Sequence, residues 1–106
     1  MDLQLKDKVV IITGGSEGIG RAAAERFSQE GALVALAART QSDLDTAATE
    51  ISTQSGNEVI GVATDVRDEN SVKALIETVA DKWGRIDVLV NNAGTCLLYT
   101  SPSPRD

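Results

Sequence analysis

The segment KVVIITGGSEGIG, Lys8 to Gly20, constrains the fold of this chain more than any other stretch. Lys8–Thr13 is an apolar run without alternation, the pattern of a strand buried on both faces. It breaks at Gly14 and Gly15 and resumes at Gly18 as a helical pattern running to Glu30. In that helix Ile19, Ala22, Ala23 and Phe27 fall at helical spacing, and Gly31 supplies the stop. A strand buried on both faces needs neighbours beside it and helices above and below it.

The rest of the chain supplies them. Leu33–Ala38, LVALAA, is a second buried strand. Thr40, with Asp43 three residues on, has the form of an N-cap. The helix it opens carries Leu44, Ala47, Ala48 and Ile51 on one face and ends near Gly56. Glu58–Ala63 is the third strand. Asp68 caps a third helix with Val72, Leu75, Ile76, Val79 and Trp83 on one side and Gly84 as its stop. Ile86–Val90 is the fourth strand. Such alternation predicts an α/β fold: a doubly wound, Rossmann-type parallel sheet, truncated after the fourth strand. Residues 1–94 are expected to form part of a dinucleotide-binding domain, and 95–106 a non-native or disordered tail.

Composition narrows the function classes. A chain of 106 residues supports one small domain, and 42% hydrophobic with 25% charged residues is ordinary for a folded one. No apolar run approaches the roughly 20 residues that span a bilayer, and MDLQLKDKVV lacks the apolar stretch of a secretory signal. With one Cys and no His, an intrachain disulfide, a Cys-based metal site and a Ser–His or Cys–His nucleophile are all excluded. The net charge of −6 argues against nucleic acid and anionic membrane as partners. A cytoplasmic location is expected. An anionic ligand would need backbone N–H groups or well-placed arginines.

The glycine turn offers the first. Gly14 allows the sharp strand exit, Gly18 removes a side chain where a ligand must approach, and Gly20 permits close helix–strand packing. The helix N-terminus that follows suits a pyrophosphate. The plainer alternative is a turn that merely links strand to helix.

Three motifs at strand ends belong together: T-G-x-x-x-G-x-G at Thr13–Gly20, Asp65-Val66 after the third strand, and NNAG at Asn91–Gly94 after the fourth. With them the chain resembles the short-chain dehydrogenase/reductase family over Leu5 to Gly94. The resemblance implies that Gly14, Ser16, Gly18, Ile19 and Gly20 line the cofactor pyrophosphate and adjoining ribose. It implies that Asp65 accepts a hydrogen bond from the adenine amino group, with the Val66 backbone beside it. Asn91, Ala93 and Gly94 would support the sheet and lie against the nicotinamide-side ribose. Asp65 could instead be a loop acid near a helix start, and Asn91 and Asn92 plain turn formers.

The second strand addresses cofactor choice. An acid at its end grips the adenosine ribose and favours NAD. Here Ala38 holds that position and Arg39 follows. A guanidinium pairs with a 2′-phosphate and stacks on adenine, so NADP(H) is the expected cofactor and NAD(H) the alternative. Arg39 as an ordinary solvated loop residue is the competing reading. Arg21 is a weaker candidate, read as a surface residue.

The resemblance implies carbonyl reduction or alcohol oxidation of a small molecule by hydride transfer, in a parent that is a homo-oligomer. It places a catalytic Ser and a Y-x-x-x-K pair downstream of NNAG. Tyr99 has Ser103 four residues on, not Lys, and no later Lys exists, so no catalytic residue is assigned and the chain alone is expected to be inactive. A complete, non-catalytic dinucleotide-binding or redox-sensing module is the second reading. A flavodoxin-like domain is the third, and it leaves NNAG unexplained. Cys96–Asp106, CLLYTSPSPRD, back-translates without mismatch into a transposase adapter of short-read DNA libraries. It resembles translated adapter rather than protein, against the alternative of a natural Ser/Pro-rich tail.

Overall fold

The computed structural model describes residues 5–14 and 18–91. Within them the chain forms β1 (Val9–Thr13), α1 (Gly18–Gln29), β2 (Leu33–Ala38), α2 (Gln41–Ser55), β3 (Val59–Ala63), α3 (Glu69–Trp83) and β4 (Val88–Asn91). The sheet has four strands in the order β3-β2-β1-β4, and every pairing is parallel. The expected α/β sheet is therefore the observed one.

Alternation along the two central strands divides the core. Val10 and Ile12 of β1 join Val34 and Leu36 of β2 on one face, covered by Ala24 of α1 and by Leu44, Ala47, Ala48 and Ile51 of α2. Val9 and Ile11 join Ala35 and Ala37 on the other, against Leu75 and Val79 of α3. All eight strand residues are fully buried. Each larger aliphatic side chain so buried is worth about 1.5–3 kcal/mol. Leu75 and Val79 of α3 pack over the small Ala35 and Ala37.

Helix α1 does not bury the stripe expected of it. Its buried residues are Gly20, Ala24 and Ser28, with Ala23 and Phe27 packed beside them. Ala22 is exposed and Ile19 is 78% exposed. The helix is rotated towards its small residues because Gly20 and Ala24 permit the closer approach to β1. On α3, Leu75 and Val79 are buried as expected, whereas Ile76 lies at the margin of the packed stripe and is exposed.

The helix ends follow local chemistry. The Asp68 side chain accepts from the Asn70 amide at 2.9 Å and caps α3. Thr40 occupies the N-cap of α2 in an extended conformation but makes no side-chain capping bond. The Thr40 cap is thus positional only, and the side chain of Gln41 does the anchoring, as described below. The fourth strand starts later than expected. Asp87 bonds its backbone N–H to the Val9 carbonyl at 2.9 Å, and its carboxylate accepts from the Val9 amide at 2.8 Å. The side chain takes a ladder position, and regular pairing begins only at Val88.

No described helix is long and apolar enough to cross a membrane.

Candidate functional site

Parallel strands put all their C-terminal ends on one edge of the sheet. The chain steps outward from β1 to β2 to β3 and then returns to the other side of β1 for β4. Strand order reverses at β1, and open α/β sheets bind ligands in the crevice outside the strand ends at such a reversal.

Register places the motifs along that crevice. Thr13 is opposite Ala37 on one side and Asn91 on the other, and Ala38 is opposite Ala63. Beyond the ladder, the Gly14 amide donates to the Ala37 carbonyl at 2.6 Å. The Thr64 amide does the same to Ala38 at 2.6 Å. These two bonds carry the sheet one residue past its strands, so that Gly14, Arg39 and Asp65 emerge side by side. Gly14 leaves β1 with φ of 69° and Gly18 opens α1 with φ of 64°, a region that favours glycine. The turn thus uses glycine where the backbone requires it.

The β1–β4 side of the crevice is tied by one hydroxyl. Thr13 Oγ1 donates towards Asn91 Oδ1 at 3.0 Å and towards the Val90 carbonyl at 3.3 Å. Thr13 is buried between its neighbours, whereas Asn91 is exposed, so the contact is half-buried.

At the opposite end, Asp65 is the best-defined charged group. Its amide donates to Ser71 Oγ at 2.8 Å, which fixes the β3–α3 connection. Its Oδ1 accepts from the Arg67 amide at 3.0 Å and from Arg67 Nε at 3.2 Å. The Arg67 N–H first, then the Arg67 guanidinium, hold the carboxyl below its ordinary value, and the charge of Arg39 adds to the effect. Asp65 is therefore an ionised acceptor at neutral pH. Val66 follows within the turn closed by the Asp68 amide on the Asp65 carbonyl at 3.0 Å.

Arg39 is exposed just past the end of β2, and among the described residues it makes no ion pair. Arg21 is occupied elsewhere: it pairs with Glu50 at 2.7 Å and Glu25 at 3.2 Å, clamping α1 to α2. Its reading as a surface residue agrees with that placement. Ser16, Asn92, Ala93 and Gly94 lie outside the described residues, as does the tail from Thr95 onwards. Of the residues expected from sequence, Gly14, Arg39, Asp65, Val66 and Asn91 stand at or just past strand ends, and Gly18, Ile19 and Gly20 form the first turn of α1.

Ser71 and Gln41 were not singled out by motif, and Thr13 opens the T-G-x-x-x-G-x-G motif without a role assigned to its side chain. Ser71 reads as helix surface. The signal in Thr13 and Ser71 was a hydroxyl beside a strand end, which is too common to stand out. A separate groove of about 500 Å³ runs between α2 and β3, lined by residues that include Asp45, Thr49 and Gly61. It lies along the sheet's outer edge and gathers none of the motif residues.

A parallel sheet wound on both faces, with a glycine turn and an acid–arginine pair at its strand ends, defines a Rossmann-like α/β protein. The family model for short chain dehydrogenases matches residues 8–104. The chain belongs to the short-chain dehydrogenase/reductase family. It is 42% identical over 91 residues to the 3-hydroxyacyl-CoA dehydrogenase type-2 of Drosophila melanogaster, covering 86% of this chain and 34% of that protein. It is 44% identical over 92 residues to the meso-2,3-butanediol dehydrogenase of Serratia marcescens, covering 87% of this chain and 36% of that one. The L-sorbose reductase of Gluconobacter frateurii, solved with NADPH and L-sorbose, superposes with a TM-score of 0.85 at 44% identity, over 94% of this chain and 38% of that chain. A metagenomic short-chain oxidoreductase in complex with NADP gives a TM-score of 0.80 at 38% identity, over 86% and 41%. The chain therefore spans about a third of the length of the curated relatives it matches, corresponding to their N-terminal part.

Proposed function

We propose that this chain is the cofactor-binding part of an NAD(P)-dependent short-chain oxidoreductase with a preference for NADP(H). The observation that carries the preference is Arg39, exposed directly after Ala38 and beside Asp65 at the strand ends. No acid stands at position 38 to hold a ribose 2′-hydroxyl or repel a 2′-phosphate. A guanidinium at 39 supplies a charge-assisted partner for that phosphate. The relatives solved with NADPH and with NADP support the same choice.

The residues present fit a dinucleotide. The first turn of α1 carries no acidic residue, and a Cβ built on Gly18 would meet nothing within 4 Å. A pyrophosphate thus has both room and the positive end of a helix at Gly18, and Gly14, Ser16, Ile19 and Gly20 are the other residues proposed to line it. Arg67 engages Oδ1 of Asp65, and Oδ2 is left to accept from an adenine amino group, with the Val66 backbone beside it. Asn91, Ala93 and Gly94 would border the nicotinamide-side ribose. When bound, NADP(H) supplies or takes up hydride at its nicotinamide, and the residues named here bind and orient it. The substrate of the whole protein would be a small-molecule carbonyl or alcohol. No residue of this chain is assigned to proton transfer, and the 106-residue chain alone is expected to show no turnover.

Calorimetric titration of the chain with NADPH and NADH tests the proposal. Tighter binding of NADPH is expected. Equal affinities would remove the assigned role of Arg39, and binding of neither would overturn the cofactor site.

A further inference from the structure

We infer that Gln41 is a positioning residue for cofactor selectivity: its carboxamide bridges the outer edge of β3 and thereby sets Arg39 in place relative to Asp65. The inference rests on the assignment of Arg39 and Asp65 to the adenosine end of the cofactor.

Gln41 is the first residue of α2 and stands two residues after Arg39. Its Nε2 donates to the Gly61 carbonyl at 3.1 Å, and its Oε1 accepts from the Ala63 amide at 3.1 Å. Backbone groups along a parallel strand face alternate neighbours. The Glu58 carbonyl and the Thr64 amide bond inward to β2, so Gly61 and Ala63 present theirs outward, at the edge of the sheet. The Gln41 carboxamide therefore makes the two bonds that the N–H and C=O of one residue on a neighbouring parallel strand would make. Asp45 decides which way round the amide sits, because its Oδ1 accepts the second Nε2 proton at 2.8 Å. With Asp45 on the nitrogen side, the oxygen is left to face Ala63.

This anchor matters because the usual one is missing. Thr40 makes no side-chain cap, so the β2–α2 connection that carries Arg39 is held at its far end by Gln41. The same clamp holds Ala63, two residues before Asp65. One side chain thus links the two segments that project Arg39 and Asp65, which the Ala38–Ala63 register already places side by side. Were the clamp removed, the loop would have to be ordered on each binding event, and the contact to the 2′-phosphate would carry that cost.

The test uses the 106-residue chain and calorimetric affinities for 2′,5′-ADP and 5′-ADP, whose ratio isolates the 2′-phosphate. Amide hydrogen exchange at Ala63 reports the clamp itself. For Gln41→Ala we expect faster exchange at Ala63 and a fall in the ratio of about three- to tenfold, the cost of re-immobilising a rotamer-rich side chain. Gln41→Glu keeps an acceptor for Ala63 but loses the donor to Gly61, and the same fall is expected there. It serves as the test if Gln41→Ala does not fold. Arg39→Ala is the reference, and it should abolish the preference for 2′,5′-ADP. Faster exchange with an unchanged ratio in Gln41→Ala, or an unchanged ratio in Gln41→Glu, overturns the inference and leaves the clamp purely structural. An unchanged ratio in Arg39→Ala instead overturns the assignment of Arg39, and the role of Gln41 falls with it.

Discussion

The Thr13 hydroxyl lies 3.0 Å from Asn91 Oδ1, and this contact joins the strand that enters the glycine turn to the strand that enters NNAG. Both flank the point where strand order reverses, and the bond adds a side-chain tie to the backbone ladder there. Thr13→Val keeps the shape and removes the donor. It should cost about 0.5–1.5 kcal/mol, the net worth of an ordinary half-buried hydrogen bond. Urea unfolding checks this: an unchanged midpoint would mean the two strand ends are held by the ladder alone.

Arg39→Asp should reverse the cofactor preference. It removes a charge-assisted contact, worth about 1.5–3 kcal/mol for a charged hydrogen bond, and adds repulsion towards a 2′-phosphate. The NADPH-to-NADH affinity ratio is expected to fall by roughly 10- to 100-fold or more. A ratio that does not move would make Arg39 a solvated loop residue.

Gly61→Ala should destabilise the fold by about 1–3 kcal/mol through overpacking. An added Cβ would sit 2.6 Å from Leu44 Cβ and 3.2 Å from the Leu44 backbone carbon. Neither is the far end of a flexible side chain, so α2 itself must shift. Combining it with Leu44→Ala should therefore give no rescue, only the further loss of about 2–5 kcal/mol that truncating a buried leucine brings. Recovery of stability in the double variant would show that the leucine side chain, not the helix backbone, was the obstacle.

Acid should weaken the fold through three carboxylates. Asp87 is held below its ordinary value by the Arg85 guanidinium, 2.7 Å away, and by the Val9 N–H. Asp65 is lowered chiefly by the Arg67 amide, and Glu58 chiefly by Lys82 with help from Trp83. A carboxyl whose folded value is depressed stabilises the fold above its unfolded value of about 4, and that stability is lost as pH falls through the lower folded value. Unfolding free energy should thus be level from neutrality to about pH 5 and decline below it. Asp87→Asn should be less stable at neutral pH and decline less steeply in acid. Parallel curves for the two proteins would rule out Asp87 as a contributor.

The fold was legible at nearly every element because its signals are local. Val9–Thr13 and Leu33–Ala38 are apolar without alternation, and that is how a strand covered on both faces must read. Gly56 and Gly84 end their helices in left-handed conformations, as their positions after each apolar stripe predict. The stripe of α1 was harder to read. Ile19 and Ala22 fit a helical period but face outward, because small residues at Gly20 and Ala24 won the close contact with the sheet.

The candidate site was legible only in part. Arg39 and Asp65 stood out because a missing acid and a strand-end acid are visible in one dimension. The Gln41 clamp was not visible, since its partners Gly61 and Ala63 lie a full helix away along the chain. A glutamine opening a helix is unremarkable until the edge of a strand is placed beside it.

Sequence by itself determined the alternation of strand and helix, the glycine turn and the absence of an acid at Ala38. These depend on side-chain period and on backbone freedom at single residues. Tertiary structure alone decided that Thr13 meets Asn91 and that Gln41 reaches across to β3. Each of these brings together backbone or side-chain groups distant in the chain, and their geometry exists only once the sheet is assembled.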